Sequence, residues 1–483
     1  MTTHVTQRRL RPYGLVLFAL IIAEATGAFE ATMLTVAIPH LIKEFGATTT
    51  DVGWAVTWFL LVAGASGALG GRLGDLFGRR RVLIIVLALS ILGSVISVAF
   101  GSFEAIIVGR AIQGVSGAVL PLLMGISREA VQPKRVPVTI AVVAGTVTFA
   151  AAIGYLVAGI LVDTVGWEAI FIASGGLALL AAILCAVLLA PSPKLWKPGD
   201  RIDYVGGLVF VPALAILLYG VSSSRTAGWT SSLVLSCVIG GIVLAAFWVW
   251  WELRNPMPIL NLRLLAQPKF ALTMAMIAFF ALGPMGGFFI LQPVILQYPE
   301  SAPVGLGLTA SAAGVLSLVL GVFGYAMSPV AGAVASRWGA KRAALIGTLA
   351  ATLVLPTIFV VRDNLVMITV VFFVMAVTST FTLTSIPNLI AESVPQENMA
   401  EGSGFYVVVR SLFQAVSTSL VALMLSTAVA PGTQFPQVSA FGLAMGMMSV
   451  SALAGFLTVL MIRERRSGMA TVTADGTPSA APA

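Results

Sequence analysis

The sequence predicts an all-α membrane protein with fourteen transmembrane helices, ordered as two six-helix bundles separated by a two-helix insert (6+2+6). Three observations carry that prediction. The composition is 58% hydrophobic and 10% charged, with a mean hydropathy of +1.01, whereas a soluble domain carries about 25% charge. Fourteen apolar runs reach the roughly 20 residues needed to cross hydrocarbon. A short stretch bearing glycine and arginine also occurs twice, at equivalent places in the two halves.

The runs cover 13–39, 52–71, 82–100, 105–127, 138–162, 169–190, 204–222, 231–251, 270–297, 307–335, 343–361, 365–390, 404–429 and 440–462. They are long and continuously apolar, which argues helix; strands of a membrane barrel would be short and alternating. The first run is too long for a signal-peptide core, lacks an A-x-A exit and is followed by further spans, so it is expected to stay in the protein. The expected organisation is an N-terminal tail (1–12), a first bundle (13–190), an insert with its connectors (191–269), a second bundle (270–462) and a disordered tail (463–483) rich in Ala, Pro and Thr. Cys185 and Cys237 both fall in apolar runs and read as small buried hydrophobes rather than a disulfide framework.

Charge sets the orientation. Of the 27 Lys and Arg, three lie in one set of loops (Lys43, Arg225, Arg362) and two within helices (Arg110, Arg410). The remaining 22 lie in the N-terminal tail and in the loops after even-numbered helices, which places both termini in the cytoplasm of a multi-pass inner-membrane protein. The net charge of +8 therefore faces anionic lipid and is no sign of nucleic acid. The insert then falls between two related halves, an arrangement of transporters with a site near the midplane.

The charges that remain inside the spans are the functional candidates. A carboxylate in hydrocarbon costs roughly 2.5–3.5 kcal/mol on insertion scales, and the first helix holds two, Glu24 and Glu30. At 1.5 Å per residue, Glu30 lies about 14 Å and Arg110 about 8 Å from the outer ends of their predicted helices. Two long side chains can close that offset if the helices are neighbours, pairing in one state and parting in another. A second reading has Arg110 satisfying backbone carbonyls to join two helices. Glu24 lies about 9 Å deeper and about 120° around the helix from Glu30, so it serves either as a second proton or cation site on the cavity, or as a protonated acid against a neighbouring helix.

The motifs around these residues resemble the fourteen-helix drug:proton antiporter branch of the major facilitator superfamily over nearly the whole chain. The first-loop signature G-x-L-a-D-r-x-G-r-r matches Gly71, Leu73, Asp75, Gly78, Arg79 and Arg80. Its glycines allow close helix approach and a tight turn, and its Asp75 and arginines can lock one gate state. The second copy, GAVASRWGAKR, has Ser336 in place of the acid, so any lock there is weaker or differently made. The fourth-helix signature appears as VGRAIQGVSGA with Arg110, Gln113, Gly114 and Gly117. FEATMLTVAIP matches the first-helix signature, with Glu30 at its acid. In the insert, DYVGG (from Asp203) and WELRNPMPILNLRLL (from Trp251) resemble the branch's connectors, and Arg410 resembles its thirteenth-helix Arg, read as a packing or gating charge. One departure stands out. The fifth-helix motif G-P-x-x-G-G reads Gly154-Tyr155-Leu156-Val157-Ala158-Gly159, which removes the kinking proline and with it the expectation of leak-proof exchange.

The resemblance implies alternating-access export of small lipophilic, often cationic molecules in exchange for protons, by a monomer in the bilayer with no cofactor. Candidates for polar and aromatic points of an apolar cavity are Trp54, Trp58, Gln113, Tyr155, Gln292, Gln297, Tyr325 and Asn388. The alternative left open is a transporter of one metabolite, siderophore or lipid, anionic or neutral and not strictly an antiporter. An enzyme is not expected: the two histidines are His4 and His40, no H-E-x-x-H occurs, and no P-loop would bind ATP.

Overall fold

A computed structural model describes residues 12–192 and 203–462, apart from 257, 259, 395–398, 432 and 434. The two tails and most of the connector after the sixth helix lie outside the described residues. Among the described residues there are fourteen long helices, thirteen of them long and apolar enough to cross a membrane and α7 a shorter apolar one: α1 (Tyr13–Phe45), α2 (Thr49–Phe77), α3 (Arg79–Ala99), α4 (Phe103–Ala130), α5 (Val136–Thr164), α6 (Glu168–Leu188), α7 (Tyr204–Ala227), α8 (Ser232–Arg254), α9 (Pro268–Gln297), α10 (Ala310–Trp338), α11 (Ala340–Val361), α12 (Leu365–Ala391), α13 (Met399–Leu425) and α14 (Val438–Met461). In hydrocarbon a helix is the one local structure that satisfies every backbone group within its own segment.

Boundaries shift where local chemistry overrides the hydropathy edge. The first helix runs past the expected stop at Pro39 and ends at Gly46, which takes the left-handed φ of +61°. Caps set several other starts. Thr48 and Asp51 form a reciprocal capping box at α2, Ser102 caps α4, and Thr309 caps α10. Two spans expected to be regular are not. α4 tightens into a 3-10 turn over Gly114–Ala118, and α9 widens into a π-turn over Ala281–Met285, around Pro284.

Helices α1–α6 pack as one bundle and α9–α14 as another, while α7 packs on α8, α2 and α13. The insert's two connector motifs clasp one another. Asp203 accepts hydrogen bonds from Gly206 N and Trp251 Nε1, both at 2.8 Å; Trp248 Nε1 donates to the Gly206 carbonyl at 3.0 Å; and Glu252 accepts from Leu260 N at 3.3 Å. The repeat is visible in the backbone: the α2–α3 and α10–α11 turns hinge on Gly78 (φ +94°) and Gly339 (φ +92°).

Two seams join the halves, and both are lined by glycine. Along α2 and α13, a Cβ on Gly53, Gly64 or Gly67 would come within 2.9 Å, 2.9 Å and 2.7 Å of Ala422, Ser411 and Val407. Along α5 and α10, a Cβ on Gly159 would sit 2.3 Å from the Ala310 carbonyl oxygen, and one on Gly314 2.6 Å from that of Tyr155. Small residues let helix backbones meet where burial of apolar surface gives no advantage over lipid.

Among the described residues, hydrogen bonds between the halves lie away from the arginine-rich loops. Thr57 Oγ1 meets Ser419 Oγ at 2.9 Å, Thr49 Oγ1 meets the Tyr298 hydroxyl at 3.5 Å, and Thr50 reaches the Ala422 carbonyl at 3.4 Å. Burial pushes the Tyr298 phenol up, so it stays neutral. Asp163 ends α5 and accepts from Ala310 N at 3.2 Å and Ser311 N at 2.6 Å, a carboxylate at the positive end of α10. His40 Nε2 lies 3.8 Å from the same carboxylate. Asp163→Ala should loosen this seal by about 1–2 kcal/mol. The check is faster maleimide labelling of Thr57→Cys, in a background lacking Cys185 and Cys237.

Candidate functional site

Glu30 sits near the middle of α1, about 25 Å from its first residue and about 23 Å from its last. It is fully buried, and its carboxylate points into the first bundle. Ser90 Oγ of α3 donates to Oε2 at 3.3 Å and Ser174 Oγ of α6 donates to Oε1 at 3.2 Å, with Ser116 of α4 a third hydroxyl beside it. Hydroxyls suit a group that changes protonation: each can donate to a carboxylate or rotate to accept from a carboxylic acid.

Arg110 is equally buried but does not form a salt bridge with that carboxylate. Its Nη1 donates to the backbone carbonyl of Glu30 at 2.7 Å and to Gln113 Oε1 at 3.1 Å, and its guanidinium lies 4.0 Å above the Phe59 ring. The direct pairing expected from side-chain reach is therefore absent in this state. The serines reach the carboxylate first, leaving the arginine to the carbonyl. Gln113 extends the network, donating to Ser94 at 2.9 Å and Ser174 at 3.4 Å. Local sequence makes this possible. A Cβ at Gly109 would lie 2.4 Å from the Gly93 carbonyl, and one at Gly117 2.1 Å from the Ala63 carbonyl, so these glycines draw α3 and α2 against α4. The serine stripe Ser90, Ser94 and Ser97 was missed by sequence reasoning, although its i, i+4, i+7 spacing on an apolar helix was a readable signal.

Glu24 is also buried, one turn and more toward the basic end. It faces elsewhere: its Oε2 makes no hydrogen bond, and the charge acting on it is Arg410 of the other half.

The loop motif forms a cluster at the basic end. Arg79 places Nε and Nη2 on Asp75 Oδ1 at 2.9 and 2.6 Å, and Nη1 on Glu129 at 2.7 Å and the Gly125 carbonyl at 3.1 Å. Arg80 turns to the carbonyls of Cys185 and Ala186 at the end of α6. Glu129, a partner the motif does not contain, ties this cluster to α4. Gly71 has open space where a side chain would be, so close approach is not its role in this state. Ser336 of the second copy donates to the Ala333 carbonyl of its own helix, and at the basic end of the second half Lys269 pairs with Glu392 at 2.6 Å. Asp75 is half exposed, so screening limits its worth; Asp75→Asn should slow transport by about two- to fivefold without loss of folded protein, read from initial rates and gel filtration.

The cavity candidates do not gather at one place. Trp54 and Trp58 lie against each other, with ring centroids 6.4 Å apart, and Trp54 meets Tyr219 of the insert at 6.0 Å. Trp54 thus meets α7, while both rings also pack against the apolar core shared by the two halves. Gln292 donates to Ser317 at 2.8 Å within the second half, while Gln297 Oε1 is buried without a partner. Tyr325 is 46% exposed, beside Gly145 across the α5–α10 seam, and Asn388 is exposed. Tyr155 packs into the core between the halves, with its hydroxyl on Thr35. Its helix is continuous from Val136 to Thr164, as expected without the proline. Gly154 packs on α1, near Thr32 and Phe29, while Gly159 packs on α10. Among the described residues, no group of three or more His, Cys, Asp and Glu could hold a metal.

With this geometry in view, similarity to known proteins can be placed. The chain is 30% identical over 337 residues to an uncharacterized MFS-type transporter, YhcA, of Bacillus subtilis, a match spanning 68% of this chain and 62% of that protein, less than two thirds of its length. It is 27% identical to the lincomycin resistance protein LmrB of the same organism, over 70% of each chain. A peptide transporter, POT, solved in complex with sulfate shares the fold, with a TM-score of 0.68 at 15% identity over 92% of this chain and 94% of that one. Residues 20–203 and 202–418 match the family described as Major Facilitator Superfamily. Together with the repeat, the paired bundles and the loop motif, this match establishes that the chain is a many-span membrane protein and belongs to the Major Facilitator Superfamily.

Proposed function

We propose that this transporter exports lipophilic, often cationic, small molecules in exchange for protons, by alternating access in a bacterial inner membrane with its basic loops in the cytoplasm. The observation that carries the reading is the Glu30 carboxylate, buried at mid-helix in a cage of hydroxyls that can serve either protonation state. Arg110 supplies a compensating charge one backbone unit away. Loss of the proton strengthens the pull of Arg110 on the carboxylate, and protonation releases it. That is the differential interaction a two-state carrier needs. On that orientation, the hydrogen bonds between the halves and Asp163 lie toward the outer face.

Lincomycin resistance is part of the name of one relative, which supports a small-molecule substrate. The test is a pH jump on everted vesicles loaded in turn with a fluorescent lipophilic cation, an anion and a neutral compound. Proton-driven movement of the cation is the expected result. Movement of the anion or the neutral compound alone, or of none when the gradient is imposed, would reject the reading.

A further inference from the structure

Glu24 is not needed by the proton site. It lies about 120° around α1 from Glu30 and looks out of the first bundle, toward the other half. Arg410 on α13 is the opposing charge. Each lies eleven residues from the basic end of its helix, so both stand about 17 Å in from that end. Independent contacts fix this level: Ser411, the next residue, rests against Gly64 of α2, which is itself about 20 Å from the same end. Among the described residues, α13 packs extensively on α2. Glu24 and Arg410 thus lie at one level in different halves, near enough for the arginine's charge to act on the carboxyl.

The two charges are not in contact, since no salt bridge within 4.0 Å joins them. Both are incompletely satisfied. Glu24 is 5% exposed, and its Oε2 is buried without a partner. Arg410 donates Nη1 to the Tyr406 hydroxyl at 3.2 Å, its guanidinium lies 5.3 Å from that ring, and its Nε has no acceptor. A buried acceptor and a buried donor, each left without a partner and not paired with each other, are completed by a ligand that brings the opposite of each.

We propose that Glu24 and Arg410 form a two-point substrate site that selects amphoteric molecules, with Glu24 taking a protonated amine or delocalised cation and Arg410 a carboxylate or comparable anion. Because the residues belong to different halves, a ligand held by both draws the halves together. The proposal rests on the transport reading above and narrows its substrate class. It does not depend on proton coupling.

Two dyes that differ by a methyl ester provide the test: rhodamine 110, a zwitterion, and rhodamine 123, its cationic ester. Binding is measured by fluorescence polarisation with the purified full-length protein in nanodiscs, at one pH and without a gradient, so failure of proton-driven transport would not affect it. The wild type should bind the zwitterion at least about tenfold more tightly. Arg410→Gln should abolish that preference while leaving the ester within about twofold, and Glu24→Gln should weaken both dyes. Arg410→Lys, which keeps the charge but loses the planar fork, should hold an intermediate preference and stands in if Arg410→Gln does not fold. A wild type that binds neither dye or shows no preference, or an Arg410 variant that weakens both dyes alike, would overturn the proposal.

Discussion

Glu30→Gln is expected to abolish proton-driven accumulation while leaving downhill exchange intact. Glutamine matches the carboxylate in size, and Ser90 and Ser174 can donate to its oxygen or accept from its amide. The bundle should therefore fold. What is lost is the only group at that point able to bind and release a proton. In the wild type, each pH unit supports about a tenfold substrate gradient per exchanged proton, or about 1.4 kcal/mol. In the variant the pH-supported ratio should fall to about one. Counterflow of labelled against unlabelled substrate checks that the carrier still turns over, so a folding defect and a coupling defect give different results.

The second large effect is expected at the outer seam. Gly159→Val places carbon 2.3 Å from the Ala310 carbonyl oxygen, 2.8 Å from its carbon and 3.1 Å from the Ser311 Cα. All are backbone atoms, so no side chain can turn aside, and α5 and α10 must separate. Overpacking of this kind costs about 1–3 kcal/mol, which lowers the closed state's share by about 5- to 150-fold. The clash exists only while the halves meet there, so each bundle should fold normally. Transport should fall at least about tenfold, with labelling of Thr57→Cys correspondingly faster. Gly154→Ala is the control. Its new carbon meets Thr32 Oγ1 at 2.8 Å, an atom on a side chain that can rotate, within one half; its effect should be smaller.

Much of this architecture was legible because the bilayer reduces the problem to apolar length and loop charge. Hydropathy marked the spans, and the doubled glycine motif marked the repeat. It could not mark helix ends decided by caps, as at Gly46 and Thr48, nor the 3-10 and π turns, which depend on neighbouring backbones. Glu30, Arg110 and Asp75 stood out because charge is rare in spans, but their partners did not. Serines are unremarkable in composition, and Glu129 lies 50 residues from Arg79. The cavity residues were hardest to read. A tryptophan pair four apart declares a shared face, but not whether that face meets substrate, lipid or, as Trp54 does, an inserted helix. Direction around the axis is settled by tertiary packing. The two acids of α1 show the same point: spacing gave their 120° separation, and the neighbouring helices decided that one faces the bundle and the other the opposite half.

The most direct measurement is proton release. Substrate added to purified protein in a weakly buffered solution with a pH indicator should displace about one proton per molecule from the wild type and none from Glu30→Gln, at equal substrate binding. Equal release from both proteins would show that the exchanged proton resides elsewhere and would contradict the role assigned to Glu30.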